Sequence, residues 1–266
     1  MENTIYMEER QREIADIIAR EGKISNARIQ GMYMISYETV RRDLEQLEKA
    51  GFCKRTHGGA IAPLPESSQV SVRPPANRDF ASMPIFPEYL AIAHKAAEYI
   101  RKNDCIYLTG GSLGHLMLKF LPTDIFYTIV VNSADMAEEL RAFGNFDTYV
   151  VGGKMRQSGS IVDATALENV SRFRFDTCFI TGGGLSTDFG LSNGTGETAA
   201  FQREVIRNSK RKILLMPGKK VGHDCFINVC GIGEFSEIIT DWTAEPKLLE
   251  EITSLGIPVV TAEEEK

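Results

Sequence analysis

At 266 residues the chain exceeds one average domain and suits two, one small and one of roughly 170 to 200 residues. With 43% hydrophobic and 25% charged residues and no run of about 18 apolar residues, it is expected to be globular, which excludes fibrous, disordered and membrane-spanning classes. The net charge of −6 argues against a polyanion binder overall, but residues 1–62 balance ten basic against ten acidic residues, and within 23–57 seven basic face four acidic. A local basic surface still attracts phosphates, because charges beyond about 8 to 10 Å are largely screened at physiological salt.

The first predicted helix runs from Met7 to Arg20, with Met7, Ile14, Ile17 and Ile18 on one face, and Gly22 ends it. A second, short helix fits Asn26 to Tyr33, with Ser25 as N-cap and Ile29, Met32 and Tyr33 toward a core. Ser36 caps a third helix over Tyr37 to Lys49, and Gly51 closes it. Phe52 to Ile61 then reads as two short strands around a Gly58-Gly59 turn. Three short helices and a hairpin in about 60 residues are the plan of a winged helix-turn-helix.

In the third helix Val40, Leu44 and Leu47 share the apolar face, leaving Glu38, Arg42, Glu45 and Lys49 opposite and Arg41 on the flank. Ser36, Tyr37, Glu38, Thr39, Arg41 and Arg42 therefore stand on a helix N-terminus suited to the major groove of double-stranded DNA. The plainer alternative is a solvated helix whose arginines pair with Glu38 and Glu45. In the hairpin, Lys54, Arg55 and His57 are placed to touch the backbone beside the groove, and Ser25 and Arg28 stand at the start of the second helix, where Arg28 adds a phosphate contact.

Arg10, Ile14 and Ile18, followed at a fixed distance by Ser36 and Thr39-Val40-Arg41-Arg42-Asp43-Leu44, then Leu47, Gly51 and Arg55-Thr56-His57-Gly58-Gly59-Ala60, resemble the helix-turn-helix signature of the DeoR family of bacterial regulators. One departure is Met34, where the corner of the motif usually has glycine, so a strained or opened turn is expected. Ala27-Arg28 also replaces an acidic pair common there.

From Pro63 to Pro87, which holds six of the ten prolines, periodicity fades and a semi-rigid linker is expected. Beyond it strands and helices alternate: helix 88–101, strand 105–109, helix 112–121, strand 126–131, helix 134–143, strand 147–151, helix 165–173, strand 177–181, helix 196–209, strand 212–216, strand 237–240, helix 245–255 and strand 257–260. This is the pattern of an α/β domain with a mostly parallel sheet, whose ligands sit at the carboxyl ends of the strands. The expected boundaries are 1–62 for the DNA-binding domain, 63–87 for the linker and 88–266 for an effector-sensing and oligomerisation domain. The five cysteines form no CxxC pair and the chain opens without a signal-peptide pattern, so free thiols in a cytoplasmic protein are expected.

Thr109-Gly110-Gly111-Ser112-Leu113 follows a strand and opens a helix, so its backbone N–H groups can hold a phosphate. The DeoR resemblance extends more loosely over this half. It implies a fold similar to ribose-phosphate isomerases and a site for a phosphorylated sugar or related metabolite. It matches this loop to the family's Asp-Ser-Gly-Thr-Thr segment, with Thr109 in place of the acid, and also marks Asn132, Gly152, Gly182, Gly183, Glu197 and Lys220. Lys220 would supply a cation for phosphate and Glu197 would accept sugar hydroxyls; Pro217 stands where the family has Asp. For each of these residues the plain alternative is an ordinary loop end.

No dinucleotide fingerprint, P-loop, metal-ligand pair or Ser/His/Asp arrangement is present, so no cofactor, metal or catalytic residue is expected. The leading reading is a ligand-controlled regulator, most simply a repressor of a carbohydrate operon, working as a dimer or tetramer on paired half-sites. The competing readings are a DNA-binding protein whose second domain only oligomerises, and an isomerase-like enzyme with a DNA-binding appendage.

Overall fold

A computed structural model describes residues 7–56, 58–61 and 86–264. They fall into two compact units, one of N-terminal helices and hairpin and one from Pro87 onward. The expected linker lies almost wholly outside the described residues, as does His57. No helix among the described residues is long and apolar enough to cross a membrane.

The first unit comprises α1 (Met7–Glu21), β1 (Lys23–Ser25), α2 (Asn26–Tyr33), α3 (Tyr37–Lys49), β2 (Lys54–Thr56) and β3 (Gly59–Ile61). Ile14, Ile18, Ile29, Val40, Leu44 and Leu47 form its core, as the helical periods predict. Met7 and Met32, assigned to the core from sequence, are exposed: Met7 begins its helix, and α2 buries only Ile29. The wing has three strands in the order β1-β3-β2 rather than two. A Cβ on Gly59 would lie 2.0 Å from the Ile24 carbonyl oxygen, so only glycine admits the close pairing of β1 with β3.

Beneath α3, Arg10 Nε donates to Asp43 Oδ2 at 2.7 Å and Gln11 Nε2 to Asp43 Oδ1 at 2.9 Å, all three residues buried. This pairing joins α1 to the core side of α3 and fixes which face α3 shows to solvent. Removing either partner would strand a buried charge, a loss of about 3 to 5 kcal/mol.

In the second unit seven parallel strands form one sheet: β4 (Cys105–Leu108), β5 (Thr128–Val131), β6 (Asp147–Val150), β7 (Phe175–Thr181), β10 (Ser209–Leu215), β12 (Glu237–Asp241) and β13 (Val259–Ala262), in the order β13-β12-β10-β7-β4-β5-β6. Successive residues feed opposite faces. Ile106, Leu108, Ile129, Val131, Ile213 and Leu215 pack with α4 (Pro87–Ala97), α5 (Ser112–Met117) and α6 (Ala134–Leu140). Tyr107, Val130, Ile180, Leu214 and Ile238 pack with α7 (Ala164–Val170), α8 (Gly196–Arg207) and α9 (Pro246–Ser254). Burial on both faces explains why these strands read as nearly continuous apolar runs.

The elements predicted from sequence are all present, most with shorter ends. Helix 88–101 stops at Ala97, and 112–121 divides into α5 and a 3₁₀ turn over Leu118–Phe120. In this unit three strands went unrecognised, β8 (Gly184–Ser186), β9 (Gly190–Asn193) and β11 (Ile227–Cys230), which form a small antiparallel sheet.

Candidate functional site

The exposed end of α3 is built by its cap. Ser36 Oγ accepts the Thr39 N–H at 3.2 Å and lies 2.9 Å from the Thr39 hydroxyl, so the first turn is closed by side chains and presents Tyr37 and Glu38 outward. Arg41 grips Glu38 with two contacts, at 2.9 and 3.2 Å, and its hydrogen bond holds the Glu38 carboxyl below the usual carboxylate range. Arg42 is 74% exposed and reaches Glu38 only at 3.7 Å. The pairing with Glu38 and Glu45 foreseen as the plain alternative is thus present, chiefly at Arg41. Exposed pairs of this kind are weakened by solvent and salt screening, so DNA phosphates can compete for either arginine.

The corner between α2 and α3 contains Met34 at φ 54°, ψ 37°, the left-handed conformation that the missing glycine predicts. Ser25 caps α2 by accepting the Arg28 N–H at 3.2 Å. The Arg28 guanidinium lies against Glu21 at 2.5 and 3.0 Å, so its expected phosphate contact requires that pair to open. Arg55 donates through its backbone N–H and Nε to Glu48 at 2.7 and 2.8 Å, tying the wing to the end of α3, while Lys54 remains exposed.

The second candidate site lies where the sheet changes direction. From β4 the chain steps to β5 and β6 on one side, then returns to β7 on the other, opening a crevice at the carboxyl ends of β4 and β7. The loop from Thr109 to Ser112 occupies that edge. Thr109 is buried, and its carbonyl accepts the Gly111 N–H at 2.9 Å. A Cβ on Gly110 would sit 3.0 Å from Ser133 Cβ, and one on Gly111 3.3 Å from Thr181 Oγ1, so the loop touches the ends of both β5 and β7. Leu113 is a core residue and can offer a ligand only its backbone.

Lys220 Nζ donates to the Gly182 carbonyl at 3.3 Å, bringing the lysine to the end of β7. Its 3₁₀ turn is held by Asp241, fully buried, which accepts the Gly218 N–H at 2.8 Å and the Thr243 N–H at 2.8 Å. Sequence reasoning missed this carboxylate because it lies beyond β11 and follows no motif. Gly182 and Gly183 are required by packing: added Cβ atoms would lie 2.2 Å from Leu191 Cδ1 and 2.5 Å from Cys225 Sγ.

Other expected residues stand differently. Asn132 is buried, with Oδ1 accepting from Tyr107 at 2.8 Å and Nδ2 donating to the Ile161 carbonyl at 3.0 Å; it braces the crevice wall. Gly152 follows β6, two strands from β4, and accepts from Asn169 at 3.1 Å, away from the loop. Glu197, on the first turn of α8, is paired with Arg156, a residue that sequence reasoning passed over.

Residues 10–66 match the family described as the DeoR-like helix-turn-helix domain, and 88–242 match the DeoR C terminal sensor domain. Among curated relatives, the chain is 28% identical over 252 residues to an uncharacterized HTH-type transcriptional regulator of Bacillus subtilis, covering 94% of this chain and 95% of that one. It is 26% identical over 241 residues to the glycerol-3-phosphate regulon repressor of Escherichia coli, covering 90% and 93%. A solved ribose 5-phosphate isomerase from Methanocaldococcus jannaschii aligns at 14% identity and a TM-score of 0.37, over 50% of this chain and 53% of that chain.

Proposed function

Because the chain belongs to the DeoR family of DNA-binding transcriptional regulators, we propose that it represses a carbohydrate operon and releases its operator when a small phosphorylated sugar binds. It is a regulator, not an enzyme. In this reading residues 1–62 bind the operator, 63–87 connect, and 88–266 sense the effector and assemble the chain into a dimer or tetramer. Tyr37, Thr39 and Arg42 face base edges, while Arg28, Arg41, Lys54, Arg55 and His57 meet phosphates. A relative carries the name of a glycerol-3-phosphate regulon repressor, which supports a phosphorylated ligand.

The observation that carries the effector reading is the meeting of three elements at one sheet edge: the Gly110–Gly111 loop against Ser133 and Thr181, and Lys220 against Gly182. Loop N–H groups and the lysine cation would hold the phosphate, and neighbouring hydroxyls and Glu197 would meet the sugar. Metabolite binding then shifts the balance between DNA-competent and incompetent arrangements by its difference in affinity for the two. Titration calorimetry of the full chain against phosphorylated sugars, followed by operator release, tests this. Lys220→Ala is expected to weaken the ligand by ~1.5 to 3 kcal/mol with ligand-free operator binding unchanged. Unaltered release in both Lys220→Ala and Gly111→Val, each verified as folded by thermal melting, would move the effector elsewhere.

A further inference from the structure

Arg156 lies in the segment after β6, outside every motif, yet the fold fastens it beside the crevice from two sides. On the β5 side its N–H donates to the Ser160 carbonyl at 2.9 Å, its carbonyl accepts the Gly159 N–H at 3.0 Å, and Ser160 bridges Ser133. On the α8 side its guanidinium donates to Thr198 Oγ1 at 3.1 Å and to the Glu197 carboxylate. Four residues along α8 from Thr198, Gln202 donates to the Thr181 carbonyl at 2.9 Å, and Thr181 is the residue that Gly111 faces. Four residues of helix rise roughly 6 Å. Arg156 and the glycine loop are therefore tied to seats one turn apart on α8, a spacing wider than a single phosphate.

The two partners of Arg156 differ in kind. Thr198 is fixed, accepting from Thr195 Oγ1 at 2.8 Å within the helix cap, and it orients one arm of the guanidinium. Glu197 is 66% exposed at its side chain whereas Arg156 is only 24% exposed. An exposed carboxylate is rehydrated as it leaves, so its exchange for another anion costs little, while a guanidinium fork aimed from a half-buried seat favours bidentate carboxylate or phosphate. The hydroxyls of Ser158 and Ser160, 3.0 Å apart, line the same turn.

We propose that Arg156 is a second anion-binding point of the sensor: the effector is a small phosphorylated metabolite with a further anionic group, a second phosphate or a carboxylate, that displaces Glu197 from Arg156. The proposal rests on the reading of the glycine loop and Lys220 as the seat of the first phosphate. Glu197 is then a placeholder for the ligand's far end in the unliganded protein, and once displaced from Arg156 it turns to the sugar hydroxyls.

Calorimetry on the full chain tests it with triose, pentose and hexose series, each comprising a monophosphate, a bisphosphate and a phosphorylated sugar acid. The best bis-anion is expected to bind at least tenfold more tightly than its matched monophosphate, and whether that is the bisphosphate or the acid identifies the second group. Arg156→Gln should remove this preference and leave monophosphate affinity within about twofold, Arg156→Lys should keep part of it, and Glu197→Gln should raise bis-anion affinity severalfold. If monophosphates bind as tightly as bis-anions, or if Arg156→Gln weakens all ligands equally, the second point is refuted while the loop reading stands. If no compound binds folded protein, the loop reading falls and this inference with it.

Discussion

Met34→Gly should stabilise the first unit, and the size of the effect follows from the geometry of the corner. Met34 adopts φ 54°, ψ 37° and its residue surface is 93% exposed, so its side chain has little packing to lose. A left-handed L-residue costs roughly 1 to 2 kcal/mol through the clash of Cβ with the following carbonyl. Glycine removes that clash but adds about 0.5 to 1 kcal/mol of backbone entropy to the unfolded chain. The expected net gain is about 0.5 to 1 kcal/mol, or roughly a two- to fivefold increase in protection of α3 amides in native-state hydrogen exchange. Trp242 is the chain's single tryptophan and belongs to the second unit, so its fluorescence unfolding transition serves as the control and should not move. Unchanged or lower protection in the variant would show that the corner carries no such strain in solution.

Arg42→Ala is expected to weaken specific operator binding by roughly 1 to 3 kcal/mol, whereas Arg41→Ala should weaken specific and random duplexes alike; gel-shift titration of both, with no effect in either, would remove α3 from the groove. Residues 1–62 alone should bind the operator far more weakly than the full chain, because an assembled pair doubles the phosphate contacts and raises effective concentration; equal affinity at equal salt refutes the oligomer argument. His115 is buried, and desolvation lowers its pKa from 6.5 against a weaker opposing pull from Glu139. The folded state thus prefers the neutral ring: its contribution is full above the unfolded pKa and is lost as pH falls from there toward the lowered folded pKa, with a limiting slope of about 1.4 kcal/mol per pH unit for one proton. Denaturation followed by Trp242 fluorescence between pH 7.5 and 5.5 should show a shallower loss in His115→Gln; parallel curves would deny the residue this role.

The helix caps were legible because they are local. Ser25 and Ser36 each act within three residues, and Gly51, at φ 82°, closes α3 where the periodic apolar face stops. The strand β1 was not legible, since three residues with one apolar position are too few to establish a period of two; it exists because β3 pairs with it. The loop at Thr109 could be placed from the strand before it and the glycines in it. Arg156 could not, because Glu197 and Thr198 lie 41 and 42 positions away and only the return of the chain past β4 brings them within reach. Asn132 shows the opposite limit: its position at a strand end was readable, but the engagement of its amide by Tyr107 and Ile161 depends on three separate elements.

The placement of β4 also bears on how the chain is made. This strand pairs with β5 on one edge and β7 on the other, and β7 starts only at Phe175. At about 5 to 20 residues per second of synthesis, the ribosome needs several seconds to travel from the end of β4 to the end of β7. During that interval the α1–β3 unit is already outside the tunnel with its core sequence complete, whereas the crevice lacks one wall. A nascent chain is therefore expected to complete the core of its helix-turn-helix before the crevice has both walls, so the order of elements alone makes folding of the DNA-binding unit the earlier event, while tight operator binding waits for assembly through the second unit.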